Sequence, residues 1–173
     1  MSSEMEALKR RLQALEDRQA IEGVLRDIAR GVDRFDQALL AAWILPEAVI
    51  DMGGDAPMTG AAFVAGLKPP EAPPLGRMHL VGNVRIVLQA DEAASEAQVI
   101  SYMTLNEADG PATRIRAGRY LDRFQRGAAG WRLSARLMID EWGRIDPVNR
   151  TAPQGWRRGA PAPLDPTYEE PGL

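Results

Sequence analysis

Four stretches of strand-forming sequence follow one another in the second half of the chain: His79 to Leu88, Ala97 to Asn106, Thr113 to Phe124 and Trp131 to Trp142. The segments between them, QADEAASE, EADGPA and QRGAAG, are short and rich in turn formers. Links of that length leave no room for the crossover helix that parallel neighbours need, so the four strands should run as an antiparallel meander. One face of such a sheet must be covered, and the first half of the chain is the source of helices. The expectation is an α+β fold in which helices form a lid over the sheet.

The helical half reads as follows. Ser3 and Glu6 have capping-box spacing, and Met5, Leu8, Leu12 and Leu15 then recur at three and four. That heptad-like seam could rest on a neighbouring subunit. A second series, Ile21, Val24, Leu25 and Ile28, continues to Gly31, where a C-cap is expected before Asp33. Asp36 is placed to cap a short helix through Leu39, Leu40 and Trp43, stopping before Pro46. The segment AVIDM then reads as a strand ending at Gly53 and Gly54. Thr59 is placed to cap a helix containing Phe63 and Leu67 that stops at Pro69 and Pro70, and KPPEAPPLG can only be a loop. Residues 1–147 are read as one domain. The tail, residues 148–173, alternates proline with polar residues and is expected to lie irregularly across the surface or reach a neighbour, although it carries Trp156 and Tyr168.

Composition narrows the chemistry. With 173 residues, 45% hydrophobic, the chain is sized for one core, and its net charge of -3 lacks the basic footprint of a nucleic-acid binder. No segment approaches the roughly 18 consecutive apolar residues of a membrane span, and the charged N-terminus does not read as a signal peptide, so a cytoplasmic soluble protein is expected. The chain has no cysteine, which removes thiolate nucleophiles and thiolate metal sites. With one histidine and no carboxylate cluster at ligand spacing, no metal is expected. Glycine-rich phosphate loops are also missing. Ser101 or Ser134 could partner the histidine, but neither sits in a nucleophile elbow. What is left is acid–base chemistry on the lone imidazole, His79, oriented by a carboxylate for which Asp33 is the candidate. On the residues alone two readings stay open for each: a structural or a catalytic histidine, a solvated or an orienting aspartate.

Three pieces of sequence, in this order, carry a resemblance: GVDRFD after the helix, MHLVGNVRI at the start of a strand, and GRYLDRFQR with WRL followed by DEW. Over roughly residues 15–147 the chain resembles the SnoaL-like group of the nuclear-transport-factor-2-like superfamily. The resemblance implies a cone-shaped barrel, a strongly curved antiparallel sheet around an apolar pocket closed by the N-terminal helices. It implies cofactor-independent proton transfer on bulky apolar molecules, as in scytalone dehydratase, bile acid 7α-dehydratase, hexachlorocyclohexane dehydrochlorinase, ketosteroid isomerase, polyketide cyclases and formaldehyde lyases of lignin-derived diarylpropanes. In the dehydratase and dehydrochlorinase branches, an aspartate at the position of Asp33 orients a histidine at that of His79, the general base.

The chain also departs from its relatives. The bile acid dehydratase pattern has tyrosines where this chain has Ile28 and Met52, a pocket aspartate at about Leu105 and an arginine at about Asp140, so that enzyme's substrate and leaving group do not carry over. The remaining polar candidates for the pocket are Tyr102, Asp140 and one or more of Arg114, Arg116 and Arg119. Trp43, Met52, Phe63, Met138 and Trp142 suit an apolar wall for an aromatic or polycyclic ligand, and suit a core equally well. The resulting expectation is a lyase, a dehydratase or related eliminating enzyme that includes formaldehyde elimination from diarylpropanes, acting on a hydrophobic ring compound. A ketosteroid-type isomerase and a non-catalytic binding or assembly module are the alternatives. The resemblance further implies a homo-oligomer, with a trimer favoured over a dimer.

Overall fold

The computed structural model describes residues 3–54, 56–69, 76–148, 153 and 155–170. The two apolar series at the N-terminus belong to one helix, α1 (Ser3–Arg34, 32 residues), and not to a helix that stops at Gly31. Gly31 is there for packing: a Cβ on it would lie 2.8 Å from the side chain of Leu40 in α2 (Gln37–Trp43). The helix ends three residues later. Phe35 takes the left-handed conformation (φ 54°) and the Asp36 N–H bonds the Gly31 carbonyl at 2.9 Å, the long reach of a Schellman turn. Asp33 therefore sits in the last helical turn, where a loop position was expected.

Only the second half of α1 is covered. Met5, Leu8, Leu12 and Leu15 remain about half exposed, whereas Ile21, Leu25 and Ile28 are at most 2% exposed against Leu40, Phe124 and Leu133. Each such side chain contributes about 1.5–3 kcal/mol by leaving water. Asp36 caps α2 through a 2.9 Å bond from the Leu39 N–H, and Thr59 caps α3 (Gly60–Gly66) through a 3.1 Å bond from Ala62, both as the sequence indicates.

The strands are β1 (Ile44–Asp51), β2 (Met58–Thr59), β3 (Arg77–Gln89), β4 (Glu92–Glu107), β5 (Gly110–Gly127) and β6 (Gly130–Pro147). β3 to β6 form the expected antiparallel meander, with links shortened to residue pairs 90–91, 108–109 and 128–129. The sheet as a whole is not antiparallel. Its order is β2-β1-β6-β5-β4-β3, and β1 lies parallel to β6. After β1 the chain leaves through α3 and enters the far edge at β3, so the meander returns to β1 from the other side. Part of the proline-rich loop, residues 70–75, lies outside the described residues.

Two buried polar clusters tie the layers. Asp122 and Arg136 face each other across β5 and β6 with bonds of 2.7 and 2.9 Å. Asp17 of α1 accepts from Trp131 at 3.1 Å and Arg126 at 2.5 Å. The tail is more ordered than its composition suggests. A 3-10 turn, Pro166–Tyr168, lies against the end of α1: the Ala162 N–H bonds the Arg34 carbonyl at 2.7 Å and the Tyr168 hydroxyl donates to Asp36 at 2.6 Å. Arg30 stacks on the Tyr168 ring, while Trp156 stays 68% exposed. Among the described residues, no helix is long and apolar enough to cross a membrane.

Candidate active site

Strand alternation builds the site. Residues two apart share a sheet face, and the register aligns His79 with Ser101 and Ser101 with Arg116, while Arg77 aligns with Met103 and Met103 with Arg114. Tyr120 aligns with Met138 of β6 on the same face. These side chains, with Val99 and Arg136, line a cavity of about 200 Å³ whose other walls are Val32 of α1 and Met52, Phe63 and Leu67.

His79, at the wall of this cavity, meets Asp33 of α1, which lies behind it and does not line the cavity itself. Asp33 Oδ1 lies 2.6 Å from His79 Nδ1, and Asp33 Oδ2 accepts the His79 backbone N–H at 2.8 Å. Both side chains are only about one-tenth exposed (11% and 10%). Two oxygens engaged on one residue fix the carboxylate and, through it, the ring. A carboxylate on Nδ1 assigns the proton to that nitrogen and leaves Nε2 as the acceptor, and Nε2 makes no hydrogen bond among the described residues. Asp33 stands at the negative end of a helix of 32 residues, so helix and carboxylate together stabilise positive charge arriving on the imidazole.

Arg77, Ser101, Arg114, Arg116, Tyr120 and Arg136 also bring polar groups to the cavity, and two of them bear on its chemistry. Arg116 donates twice to Asp140 and, at 2.7 Å, to the Met52 carbonyl. The bonded pair is mutually stabilised: hydrogen bonding to Asp140 raises the arginine's pKa, and hydrogen bonding to Arg116 holds the Asp140 carboxyl below its ordinary range. Tyr120 is 5% exposed and its hydroxyl has no hydrogen bond among the described residues. Burial pushes its phenol up, which keeps it protonated and a donor.

Of the pocket residues expected from sequence, Met52, Phe63, Arg116 and Met138 line the cavity with His79, and Ser101 and Arg114 are there too. Four expected residues are elsewhere. Tyr102 follows Ser101 and so points to the opposite sheet face, paired with Ile115. Trp142 is also on that outer face, paired with Ala117 and 53% exposed, as is Arg119, which pairs with Glu141. Trp43 packs against the core. Asp140 reaches the site only through Arg116. A bulge after Ala117 sets Asp140 opposite Gly118, where an unbroken ladder would put Glu141. That close passage needs glycine, since a Cβ on Gly118 would sit 2.0 Å from the Ile139 carbonyl oxygen.

Sequence reasoning missed Arg77, Tyr120 and Arg136. Parity could have found Tyr120, because Arg116 and Tyr120 are four apart in one strand and must share a face.

The fold recurs in solved structures. Hexachlorocyclohexane dehydrochlorinase (LinA) type 2 superposes with a TM-score of 0.70 at 22% identity, covering 84% of this chain and 99% of that one. A protein of Novosphingobium aromaticivorans assigned as a scytalone dehydratase gives 0.68 at 19%, covering 84% and 97%. The Kfla4162 protein of Kribbella flavida gives 0.68 at 23%, covering 76% and 95%. No curated protein is significantly similar in sequence. The SnoaL-like domain model matches residues 13–137, most of the chain, and the chain therefore belongs to the SnoaL-like family of nuclear-transport-factor-2-like folds.

Proposed function

We propose that this protein is a cofactor-independent lyase acting on a hydrophobic ring compound, with His79 as general base and Asp33 as the residue that orients it. The observation that carries the reading is the 2.6 Å contact between Asp33 and Nδ1 of an imidazole that lines a cavity. In the step we infer, Nε2 takes a proton from carbon, the C–H electron pair becomes the new double bond, and water or halide departs with its own bonding pair. Where formaldehyde is lost, Nε2 takes the hydroxyl proton of the departing CH2OH, the O–H pair becomes C=O and the C–C pair becomes the new double bond as the neighbouring leaving group departs. Asp33, bonded to Nδ1, compensates the imidazolium. Arg116 and Tyr120 supply donors for charge developing on the departing group. We take the sheet to wrap around this cavity as the family's cone does; lining residues drawn from all of β3 to β6 support that. The structural neighbours named as a dehydrochlorinase and a dehydratase support elimination as the reaction class.

The test is a panel of hydrophobic ring compounds incubated with purified protein and followed for loss of water, halide or formaldehyde. Turnover that His79→Ala abolishes supports the reading. Turnover that survives in that variant refutes the base.

A second reading, an isomerase that moves a proton between two carbons, is favoured by one observation. Tyr120 brings to the cavity a protonated phenol able to stabilise an enolate, compensating for the tyrosine missing at Ile28. Product of unchanged mass, with solvent deuterium incorporated, would select it. We also propose that the protein is a homo-oligomer, with a trimer favoured. The exposed outer-face residues Met78, Leu80 and Trp142 support burial against another copy, and light scattering reads the state.

A further inference from the structure

Among the described residues, one arginine at the cavity has no hydrogen-bonded partner. Arg116 is bonded to Asp140, Arg136 to Asp122, and Arg114 lies 3.6 Å from Glu107. The guanidinium of Arg77 makes no hydrogen bond and no ion pair among the described residues, and its Nε is buried without a partner. Asp33 is close enough to influence it, yet both Asp33 oxygens are engaged by His79. Burial works against the charge on Arg77, so a desolvated cation stands beside the proposed base with its donors unused.

Its placement suits a ligand. Arg77 lines the 200 Å³ cavity and also a neighbouring hollow of about 570 Å³, bounded by the end of α1 and by Gly159, Pro161 and Leu164 of the tail. The first space alone is below the roughly 300–1000 Å³ typical of sites for drug-sized molecules, and Arg77 lines both spaces. One face of the guanidinium lies on the Phe35 ring, 4.8 Å from its centroid. Phe35 holds a left-handed backbone (φ 54°), which is strained for an aromatic residue. Strain of this kind persists where the surroundings fix it, and here it seats the ring beneath the arginine. A stacked guanidinium has its plane set and its edge donors free, the arrangement that accepts a carboxylate through two parallel bonds.

We propose that Arg77 binds a carboxylate of the substrate, so that the molecule processed here is a hydrophobic ring acid whose apolar body lies toward His79, Phe63 and Met138. A guanidinium edge with free donors suits the two oxygens of one carboxylate. This inference rests on reading the cavity as the substrate site.

The experiment is isothermal titration calorimetry of the full chain with 2-naphthoate and its neutral counterpart 2-naphthamide. The acid is expected to bind at least tenfold more tightly. Arg77→Met should bring the two within about twofold, and Arg119→Met, which removes an arginine from the outer face, should leave the preference in place. Equal affinity of the two probes for the wild-type protein overturns the inference, as does a preference that persists in Arg77→Met. Should circular dichroism show Arg77→Met to be misfolded, Arg77→Lys carries the test: a preference reduced threefold or more supports the two-bond contact, and an unchanged one overturns it. A chain that turns over no ring compound yet prefers the acid would sink the lyase reading and keep this one. Turnover of neutral compounds with no preference for the acid would do the reverse.

Discussion

Two of the carboxylates that sit beside a cationic or basic partner, Asp122 and Asp33, are built for opposite ends. Asp122 and Arg136 are 0% and 5% exposed and bond through both oxygens, from neighbouring strands within one sheet. Asp33 and His79 come from different layers, a helix end and an edge strand, and are slightly more open. In the first pair both carboxylate oxygens are matched by guanidinium donors. In the second, one ring nitrogen is matched and the other is not. A matched pair specifies packing, whereas the unmatched nitrogen at a cavity wall is what chemistry requires.

The sharpest way to break this comparison is to remove the imidazole. His79→Ala should lower turnover by about 10²–10⁴-fold, the usual share of a general base, with little change in melting temperature. Asp122→Ala should do the converse, destabilising the fold by about 3–5 kcal/mol in urea titrations because it strands a buried guanidinium. Replacing both members, Asp122→Leu with Arg136→Met, should recover most of that loss, since no uncompensated charge remains. Asp33→Asn should cost about 10²-fold in turnover. The chain has one histidine, so its Nδ1 proton gives an unambiguous NMR signal, and in Asp33→Asn that signal should move upfield. An unchanged signal would mean the carboxylate does not hold the ring in solution.

The smallest effect at any one site concerns acid. For Asp17 burial raises the pKa, but bonds from Trp131, Arg126 and Gln13 outweigh it, and the carboxyl ends below its ordinary 3.8. Asp165 is likewise held below 3.8, with burial offset by Thr167, the Ala160 N–H and Arg34. A folded-state value below the unfolded one adds stability that is complete above about pH 4 and is lost as pH falls through the folded value. Melting temperature should therefore hold from neutral pH down to about 4 and fall below it. Asp17→Asn should flatten that acid limb.

Much of this was legible beforehand, for local reasons. The caps at Asp36 and Thr59 and the meander rest on short-range chemistry and were readable. The helix end was misread because Gly31 has two possible uses, C-cap and close contact, and only Leu40's position distinguishes them. The parallel pairing of β1 with β6 depends on where the chain travels between residues 51 and 77, which no local pattern encodes. Asp33 and His79, far apart in sequence, are in contact in the structure, whereas Tyr102 and Trp142, expected at the pocket, lie on the outer face. In a strand the choice between faces turns on a single residue of register, and the bulge after Ala117 shifts that register within β6.

The tail changes how the site comes into being. The groups that pin the helical turn of Asp33, Ala162 on the Arg34 carbonyl and Tyr168 on Asp36, are translated more than 120 positions after it. Order of synthesis thus runs opposite to order of need. A nascent chain can pair β3 through β6 and still lack the anchor for one half of its dyad, so acquisition of activity should lag acquisition of the sheet.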